Sequence, residues 1–348
     1  MIVLDATPRA AIKGLGTAIP ERVVTNGDLE QLVDTTDEWI TSRTGIKERR
    51  LVSGDETASS LAELACKRAL ADAGMTAEEL DLIIACTFTG DYRLPAVSNL
   101  LEDRLGATKA GAFDLSAACA GFVYGLVTAS QFIQAGSYRN VLVSSVEVLS
   151  SVTDWEDRST CVLFGDGAGA AVLTPAEGEE GLRSFVLGSR GSGAEELIIP
   201  YGGSRTPLTP ETLAEHKHFV HMNGREVFKF AVTVMGDSSL QVIEGAGWQP
   251  ADVDLIIPHQ ANKRIVDAAM KRLELPMEKA FMNLERFGNT SSASVPLALD
   301  EALARGLVKE GDKLVMSAFG GGLTYAACSL VWGTAKGSMK DYMAEQLV

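Results

Sequence analysis

The sequence predicts an α/β protein in which two duplicated halves, residues 1–180 and 181–348, each contain strand–helix–strand units. The first observation is an internal repeat. Residues 73–84 (AGMTAEELDLII) align without gaps on residues 246–257 (AGWQPADVDLII), and six of the twelve positions are identical. The second observation is that each copy has the pattern of a helix, a short polar loop and an apolar strand. Two such copies are expected to pack about a pseudo-twofold axis.

The repeat also predicts the order of elements in each half. In both copies a helix is predicted to end near a glycine, and an apolar strand begins at Leu82 or Leu255. A second match at nearly the same offset pairs the strand-like segments VLVSS (141–145) and KLVMS (313–317). Alternating strands and helices favour parallel strands with helices packed on the sheet faces. In such sheets reactive groups gather where strands end and helices begin.

The composition excludes several classes of protein. With 348 residues, of which 46% are hydrophobic and 22% charged, the chain can form a large buried core. The formal net charge of -15 argues against nucleic-acid binding, which needs clustered cations. The five cysteines are widely spaced without a C-x-x-C pair, so we expect reduced thiols. Without a signal-peptide pattern or a run of about 18 apolar residues, a cytoplasmic protein with no membrane segment is predicted.

Cys119 stands among small residues in the segment LSAACAGF (115–122), directly after a short predicted strand. The run that follows, up to Gln134, is apolar on most sides, as in a buried helix. Cys119 is therefore expected near the amino end of that helix, where partial positive charge favours the nucleophilic thiolate. The alternative is that Cys119 is one more small buried residue, which is the commoner role of a free cysteine.

Two polar segments of the second half are candidates for the same site. His259 lies in LIIPHQAN, directly after the repeated strand, and a helical pattern over residues 262–275 follows, so the imidazole is expected at a helix start. Asn289 lies in RFGNTSSASVP, which the repeat offset pairs with the Cys119 segment. A pseudo-twofold axis would make the two helix starts face each other. The alternatives are a hydrogen-bonded core histidine and an N-cap cluster.

Three further motifs are weighed by their context. FGGGLTY (319–325) follows a predicted strand and could bring backbone N–H groups close to a substrate oxygen, the alternative being a tight turn. GDGAGA (165–170) partly matches a dinucleotide-binding motif, but a strand-like run follows it instead of a helix, so a hairpin turn is predicted. His216, His218 and His221 have metal-like spacing but lie in a loop without cysteines, and no metal site is predicted.

Six segments together resemble the β-ketoacyl-acyl-carrier-protein synthase III family, the initiating condensing enzymes of type II fatty-acid synthesis in the thiolase-like superfamily. The segments are AACAGF, HQAN, GNTSSASVP, FGDGAGAAVL, DEWITSRTGI and AFGGGLTY. The resemblance extends over roughly residues 10–333. It implies a thiolase-like α/β fold with two duplicated βαβ-rich halves in layers α/β/α/β/α, assembled as a homodimer. The loop around residues 200–221 and the polar C-terminal tail depart from the family pattern.

The resemblance also implies a mechanism. In the family, the cysteine that matches Cys119 is acylated by an acyl-CoA, and malonyl-acyl-carrier protein is then decarboxylated to an enolate that attacks the thioester. The backbone N–H groups of Cys119 and Gly322 would form the oxyanion hole. His259 and Asn289 would donate hydrogen bonds to the malonyl thioester oxygen. The coenzyme A thioester is then a substrate, and no cofactor or metal is required.

Further residues are assigned to binding by the same resemblance. Coenzyme A would contact Thr35, Trp39, Arg43, Arg158, Gly224, Phe228 and Asn262. Trp39 would stack on adenine, Arg43 would meet phosphate and Arg158 would close the other face. The acidic carrier protein would dock on Lys229, Lys263, Arg264, Lys271 and Arg272. Without the resemblance, Trp39 would be read as a core aromatic and these cations as a solvated helix face.

Primer choice is linked to one position. The resemblance puts Leu94, in DYRLPA, at the end of the acyl pocket across a dimer interface. A leucine there, in place of a common phenylalanine, would leave room for a longer or branched primer. The preferred primer itself is not readable from the sequence.

Several related activities are alternatives to this prediction. Chain-elongating synthases pair the cysteine with two histidines. Hydroxymethylglutaryl-CoA synthase needs a glutamate base, which the segment TFTGDYRLP lacks although Asp91 is nearby, and plant-type polyketide synthases carry GFGPG in place of FGGGLTY. A related synthase of secondary metabolism is the main rival. A non-catalytic homologue that binds acyl-CoA or carrier protein is the alternative from a different class.

Overall fold

The computed structural model describes residues 2–3 and 9–345 of the chain. Its strands are β1 (Ile2–Val3), β2 (Ala10–Ala18), β3 (Arg22–Thr25), β4 (Glu48–Leu51), β5 (Leu82–Cys86), β6 (Gly111–Leu115), β7 (Val141–Glu147), β8 (Gly167–Pro175), β9 (Gly181–Ser189), β10 (Leu197–Ile198), β11 (His221–Met222), β12 (Leu255–Pro258), β13 (Lys313–Gly320) and β14 (Thr324–Val331). Its α-helices are α1 (Asn26–Leu29), α2 (Asp37–Thr44), α3 (Ala58–Ala73), α4 (Val97–Leu105), α5 (Gly121–Gln134), α6 (Arg158–Cys161), α7 (Pro210–Leu213), α8 (Gly224–Gly245), α9 (Lys263–Arg272), α10 (Leu284–Phe287), α11 (Ser294–Ala304) and α12 (Met339–Glu345).

The strands form two five-stranded sheets in which four strands have a matching order, β2-β8-β7-β5 in one and β9-β14-β13-β12 in the other. The first sheet is β2-β8-β7-β5-β6 and the second is β1-β9-β14-β13-β12, while β3–β4 and β10–β11 form separate pairs. Both large sheets contain parallel pairs, β5 with β7 and β12 with β13, as predicted. Both also contain antiparallel pairs, β7 with β8 and β13 with β14. β13 and β14 are joined by a three-residue turn that leaves no room for a crossover helix.

Each large sheet has one central face and one outer face. Along β5, Ile84 faces the central layer of α5 and α11, whereas Ile83 faces α3 and α4. Along β12, Ile257 faces the centre and Ile256 faces α8 and α9. This alternation follows from the two-residue period of a strand and lets each sheet bury both faces. The molecule is therefore layered α/β/α/β/α.

The two central helices start from the same kind of turn. A 3₁₀ turn, Ala118–Ala120, precedes α5, and a 3₁₀ turn, Ser291–Ala293, precedes α11. Each turn begins with a residue of positive φ, 46° at Ala118 and 51° at Ser291. The internal repeat of the sequence is thus present in the backbone at the point where the candidate nucleophile lies.

A close approach holds α5 against the first sheet. A Cβ atom on Gly125 of α5 would lie 2.7 Å from Cys86 Sγ and 2.7 Å from a methyl carbon of Val143. Any larger residue would push the helix away from β5 and β7, since real Cβ atoms do not approach so closely. This contact fixes the depth at which the amino end of α5 presents Cys119.

Two predicted elements are wrong in detail. The helix predicted over 262–275 spans only Lys263–Arg272, because Pro276 and the residue before it cannot continue a helix. At its amino end α9 begins after the N-cap Asn262, and His259 lies in the loop three residues before that cap. GDGAGA is not a hairpin turn, since its last four residues begin β8. Small residues are needed there because a Cβ on Gly169 would lie 2.6 Å from Pro296.

The strands of the first large sheet lie within residues 10–175, and those of the second, apart from β1, within 181–331. The boundary between residues 180 and 181 stays a prediction. Among the helices of the described residues, none combines the length and the apolar character needed to cross a membrane.

Candidate active site

Cys119 lies between the end of β6 and the first residue of α5, in the 3₁₀ turn. It is 8% exposed and lines two cavities. The other four cysteines, Cys66, Cys86, Cys161 and Cys328, are fully buried in the protein. Cys119 is therefore the cysteine that a substrate can reach through these cavities.

Burial opposes ionisation of Cys119. The position at a helix start was expected to favour the thiolate, but removal from water raises the pKa of the Cys119 thiol to about 12. A hydrogen bond of 3.3 Å from Ser291 Oγ to Cys119 Sγ acts in the opposite direction, because it stabilises the thiolate. The ionisation of the sulfur thus depends on its polar neighbours as well as on the helix.

His259 is held in a fixed orientation between β12 and α9. Its backbone N–H donates to the carbonyl oxygen of Ser317 at 2.8 Å, and its ring lies edge-on to Phe319 with centroids 5.4 Å apart. Nδ1 lies 2.6 Å from Ser294 Oγ, which also accepts the Gln260 N–H. The tautomer in which the Ser294 hydroxyl donates to Nδ1 has its ring proton on Nε2. Burial lowers the pKa of His259 to about 3, so the imidazole is neutral at physiological pH.

Asn289 is positioned by its backbone and by one side-chain contact. Its N–H donates to the Leu163 carbonyl at 2.8 Å, and its carbonyl accepts the Gly165 N–H at 3.0 Å. Asn289 Oδ1 accepts the Ser291 N–H at 2.9 Å. With the carboxamide oxygen engaged, the Nδ2 group has no protein acceptor among residues 9–345 and is available to a substrate.

Two cavities meet at the sulfur. A cavity of about 220 Å³ is lined by Cys119, His259 and Asn289, together with Phe319 and Gly320. A second cavity of about 370 Å³ is lined by Cys119, Ser291, Phe88, Gly321 and Gly322 and by several aliphatic side chains. The first cavity therefore contains the polar groups, and the second can take an apolar chain attached to the sulfur.

The glycine-rich segment lies against the Cys119 turn. A Cβ on Gly320 would lie 2.6 Å from the backbone nitrogen and 3.0 Å from the Cβ of Cys119, so a larger residue would displace the turn. Gly322 has a φ of 131°, which side chains other than glycine rarely adopt. The Thr324 hydroxyl donates to the Ala117 carbonyl at 2.9 Å and ties the two segments together. These glycines let the segment lie against the Cys119 turn, and Gly322 lines the same cavity as Cys119.

Comparisons with known proteins identify the family. The family models for 3-oxoacyl-[acyl-carrier-protein (ACP)] synthase III and for its C-terminal part match residues 113–191 and 243–332. The beta-ketoacyl-[acyl-carrier-protein] synthase III of Symbiobacterium thermophilum is 55% identical over 322 residues, which cover 92% of this chain and 98% of that protein. The chain belongs to the synthase III family. The resemblance of the six motifs is thereby confirmed.

Solved structures agree with this membership of the synthase III family. The 3-oxoacyl-[acyl-carrier-protein] synthase III of Aquifex aeolicus is 46% identical, with a TM-score of 0.86 over 93% of this chain and 100% of that chain. A priming β-ketosynthase from the R1128 polyketide biosynthetic pathway is 36% identical, with a TM-score of 0.86 over 95% of this chain and 98% of that chain. The predicted thiolase-like fold class is confirmed.

Several of the residues that are predicted to contact coenzyme A lie around Trp39. The guanidinium carbons of Arg158 and Arg43 lie 4.9 and 5.7 Å from the centroid of the Trp39 ring. Arg158 also donates to the Asp34 carbonyl at 2.7 Å. The neighbouring Thr35 hydroxyl oxygen is buried without a hydrogen-bond partner in the described chain. Trp39 is partly exposed and in contact with two cations, while its buried part packs against the apolar cluster that contains Ile40 and Leu284.

A second group connects this surface to the sulfur. Gly224, Phe228 and Asn262 line the cavity that contains His259. Asn262 caps α9, and its Nδ2 donates to the Arg43 carbonyl at 3.1 Å. A ligand could therefore extend from the Trp39 surface along Asn262 into the polar cavity.

Most of the five cations expected at the carrier protein have acidic neighbours. Three ion pairs are present: Lys229 with Glu226, Lys263 with Asp267, and Arg272 with Asp237. Arg264 lies over the ring of Phe228 at 5.4 Å, and Lys271 forms no ion pair within the described residues. Arg264 and Lys271 are thus the cations that an acidic partner would meet without displacing a carboxylate of this chain.

Leu94 lies in the loop between β5 and α4. It is 85% exposed and lines neither cavity, whereas Phe88 in the same loop lines the cavity of about 370 Å³. The predicted position of Leu94 at the end of an acyl pocket therefore requires the pocket of a second copy.

The three histidines discounted as a metal site lie near one another, but His216 is the one whose ring lies beside acidic groups. His216 Nδ1 lies 3.1 Å from Asp154, and in the described part of the chain Asp154, Glu156 and His216 are close enough to share an ion. His218 and His221 do not belong to that group. Exposed acidic groups of this kind are common without a metal.

Sequence reasoning missed a buried carboxyl beside Cys119. Glu147, the last residue of β7, is fully buried, and its Oε1 lies 3.3 Å from Ser291 Oγ. Two signals could have found it. An acidic residue ends the otherwise uncharged strand segment VLVSSVE, and the repeat offset from Cys119 points to position 291.

Proposed function

We propose that this chain transfers an acyl primer from acyl-CoA to Cys119 and condenses it with malonyl-acyl-carrier protein in a decarboxylative Claisen reaction, which initiates fatty-acid synthesis. The observation that carries the proposal is the shared cavity of Cys119, a neutral His259 and Asn289. Membership of the synthase III family supports the same reaction. The coenzyme A thioester acts here as a substrate, and no other cofactor is part of the proposal.

In the first half-reaction the Cys119 thiolate attacks the thioester carbonyl of acyl-CoA. A bond from Sγ to the acyl carbon forms, the bond from that carbon to the coenzyme A sulfur breaks, and the coenzyme A thiolate leaves with the electron pair. Negative charge develops on the carbonyl oxygen. The backbone N–H groups of Cys119 and Gly322 are proposed to stabilise that oxygen, and the aliphatic cavity holds the acyl chain.

In the second half-reaction the malonyl group loses carbon dioxide. The electron pair of the broken carbon–carbon bond delocalises onto the thioester oxygen, where His259 Nε2–H and Asn289 Nδ2–H donate hydrogen bonds. A neutral imidazole keeps its proton and serves as a donor throughout. The resulting carbanion attacks the acyl carbon, and Cys119 leaves as a thiolate, ready for the next acyl-CoA.

The adenine end of coenzyme A is proposed to bind between Trp39 and Arg158, with Arg43 at a phosphate. In the structure Arg158 itself lies on the Trp39 ring, so adenine must replace that cation–π contact with stacking on both groups. Thr35 offers an unpaired hydroxyl at the same place. Gly224, Phe228 and Asn262 would line the path of the pantetheine arm.

Carrier-protein docking is proposed on α8 and α9. The chain has a net charge of -15, so an acidic partner needs a local patch of cations. Arg264 and Lys271 are the principal candidates, and Lys229, Lys263 and Arg272 can contribute where the partner competes with their acidic neighbours. The patch lies on the helix that follows His259, near the mouth of the polar cavity.

Assembly as a homodimer is proposed through the edge of the first sheet. β6 is the last strand of that sheet, and its Phe113 is 36% exposed. The nearby loop exposes Tyr92 (64%) and Leu94 (85%). An unpaired edge with exposed apolar side chains favours pairing with a second copy. Such a dimer could insert Leu94 into the acyl pocket of the partner copy.

We expect Phe113→Asp to convert a dimer into a monomer, because a carboxylate would be buried at the pairing edge. Light scattering coupled to size-exclusion chromatography measures the change. Leu307→Asp is the matched control, since Leu307 is an exposed leucine far along the chain in the second half. A monomeric wild-type protein, or a dimeric Phe113→Asp variant, would contradict this interface.

The reaction itself is tested with purified protein, malonyl-carrier protein and a panel of acyl-CoA primers. We expect release of coenzyme A and carbon dioxide and formation of a 3-oxoacyl-carrier protein, followed by mass spectrometry. Comparing acetyl-, isobutyryl- and octanoyl-CoA measures whether Leu94 leaves space for branched or longer primers. Binding of acyl-CoA without turnover would favour the non-catalytic alternative.

A second candidate function is priming of a polyketide pathway. The observation that favours it is the 36% identity to the R1128 priming β-ketosynthase, which has the same fold over 95% of this chain. The two functions use the same chemistry and differ in the carrier protein. A methyl-deprotonating synthase is disfavoured, because Asp91 is hydrogen-bonded to Ser59 and lines neither cavity.

A further inference from the structure

A polar cluster lies directly behind the sulfur of Cys119. The buried Glu147 side chain accepts a hydrogen bond from Thr89 Oγ1 to its Oε2 at 2.5 Å. Its Oε1 lies 3.3 Å from the hydroxyl oxygens of both Ser291 and Ser292. Ser291 Oγ also lies 3.3 Å from Cys119 Sγ. One hydroxyl group therefore connects a buried carboxyl with the candidate nucleophile.

Among the residues that the structure describes, no cation compensates a charge on Glu147. Its titratable neighbours are the thiols Cys86 and Cys119, and Asp114 acts on Cys86 from β6. Asp166 precedes Gly167, the residue of β8 that pairs with Glu147. The Asp166 carboxylate is hydrogen-bonded to Ser150 instead. Within residues 9–345 no Lys, Arg or His forms an ion pair with Glu147. Burial raises the pKa of Glu147 to about 8, so the carboxyl is mostly protonated at neutral pH.

The Ser291 hydroxyl has one proton and two possible acceptors. When Cys119 is a thiolate, the Ser291 hydroxyl donates its hydrogen bond to the sulfur, and its oxygen accepts a hydrogen bond from the protonated Glu147 carboxyl. When Glu147 is ionised, the Ser291 hydroxyl donates its hydrogen bond to the carboxylate, and the Cys119 thiol donates a hydrogen bond to the Ser291 oxygen. On the cavity side of the sulfur, His259 is neutral and offers no charge that would change this choice.

We propose that Glu147 is a positioning residue for the nucleophile: its protonated carboxyl donates to Ser291 Oγ, which turns the Ser291 hydroxyl towards Cys119 and stabilises the thiolate. Ionisation of Glu147 reverses both hydrogen bonds. The thiolate with a carboxylic acid and the thiol with a carboxylate hold the same number of protons. Two proton shifts, one along each hydrogen bond, interconvert them.

The hydrogen bonds among Glu147, Ser291 and Cys119 predict a specific pH dependence for the reactivity of Cys119. Below the pKa of Glu147, of about 8, each pH unit raises the fraction of thiolate about tenfold. Above it, the main form is the thiol with the carboxylate. The ratio of two forms with equal proton number does not depend on pH. The reactivity of Cys119 should therefore stop rising above the pKa of Glu147, until the form with both groups ionised, which repulsion between the like charges disfavours, becomes significant.

The experiment measures the rate at which iodoacetamide alkylates Cys119, by peptide mass spectrometry. In the wild-type protein the rate should rise only about twofold between about pH 8 and about pH 9. In Glu147→Gln it should rise about tenfold over the same interval, because the carboxamide can donate to Ser291 but cannot ionise. Equal profiles of the two proteins would overturn the proposal.

Two serines provide the matched pair of variants. Ser291→Ala removes the hydroxyl that reaches the sulfur and should lower the alkylation rate at neutral pH by about tenfold, as expected for a hydrogen bond to a charged group. Ser292→Ala removes a hydroxyl that contacts the same Oε1 but not the sulfur, and the rate should stay within about twofold. Alanine tolerates the positive φ of the turn, since Ala118 adopts it in the other half.

A role of Glu147 in catalysis rests on the proposed function. The alkylation experiment tests its effect on Cys119 separately, because alkylation requires neither acyl-CoA nor carrier protein. If the wild-type protein fails to transfer an acyl group while the two alkylation profiles differ as stated, the proposed function fails and the positioning role of Glu147 stands. If acyl transfer is observed and Ser291→Ala is alkylated as fast as Ser292→Ala, the positioning role fails alone.

Discussion

Replacing Cys119 with alanine is expected to abolish the acyl-enzyme and to lower the rate of condensation by about 1000-fold or more. No other cysteine can take its place, because the remaining four are fully buried. Intact-mass spectrometry after mixing with acyl-CoA measures the acyl-enzyme directly. Cys119→Ser should fail in the same way, since a buried hydroxyl is far harder to ionise than a buried thiol.

The Cys119→Ala variant also provides a control for folding. His259 and Asn289 remain in Cys119→Ala, so the decarboxylation of malonyl-carrier protein should persist without condensation. Iodoacetamide should modify Cys119 selectively in the wild-type protein and remove acyl transfer. A fully active Cys119→Ser enzyme would refute the assignment of the nucleophile.

Asn289→Ala is expected to separate the two half-reactions. The variant should still form the acyl-enzyme, because Asn289 contacts neither the sulfur nor the proposed oxyanion hole. It should lose condensation by about 100- to 1000-fold, the usual effect of removing one donor to a developing oxyanion. Acylation is measured by intact mass, and condensation by the 3-oxoacyl product.

A second variant at this position tests the role of the amide group. Asn289 Oδ1 accepts the Ser291 N–H, so alanine also removes a contact that holds the Ser291 turn. Asn289→Asp keeps an acceptor for that N–H, removes the donor and adds an ionisable carboxyl group to the cavity. Loss of condensation in both variants, with acylation retained in Asn289→Asp, supports the donor role. Equal loss of both half-reactions would mean that Asn289 supports the turn instead of the enolate.

Local patterns predicted the elements that carry the site. The apolar run after Cys119 is α5, and the repeated segments are β5 and β12, because periodicity and glycine stops are local properties of the chain. The prediction was less accurate where tertiary packing decides. The strand start in GDGAGA depends on packing against Pro296, which the sequence alone does not show, whereas the end of α9 follows from Pro276, a local signal that the predicted helix range did not take into account.

The sequence by itself determined the residue types of the site and the twofold repetition of the fold. A cysteine before a buried helix, a histidine after a strand and an asparagine in the matching segment were all visible as patterns. Their roles as catalytic residues stay a prediction.

Only the tertiary structure decided how these groups meet and what charge they carry. Burial raises the pKa of Cys119 and lowers that of His259, and both shifts depend on how much water the assembled layers exclude. The contact of Glu147 with Ser291 joins β7 of one half to a turn of the other. Distance and desolvation are properties of packing between segments that are remote in the chain, and no local pattern contains them.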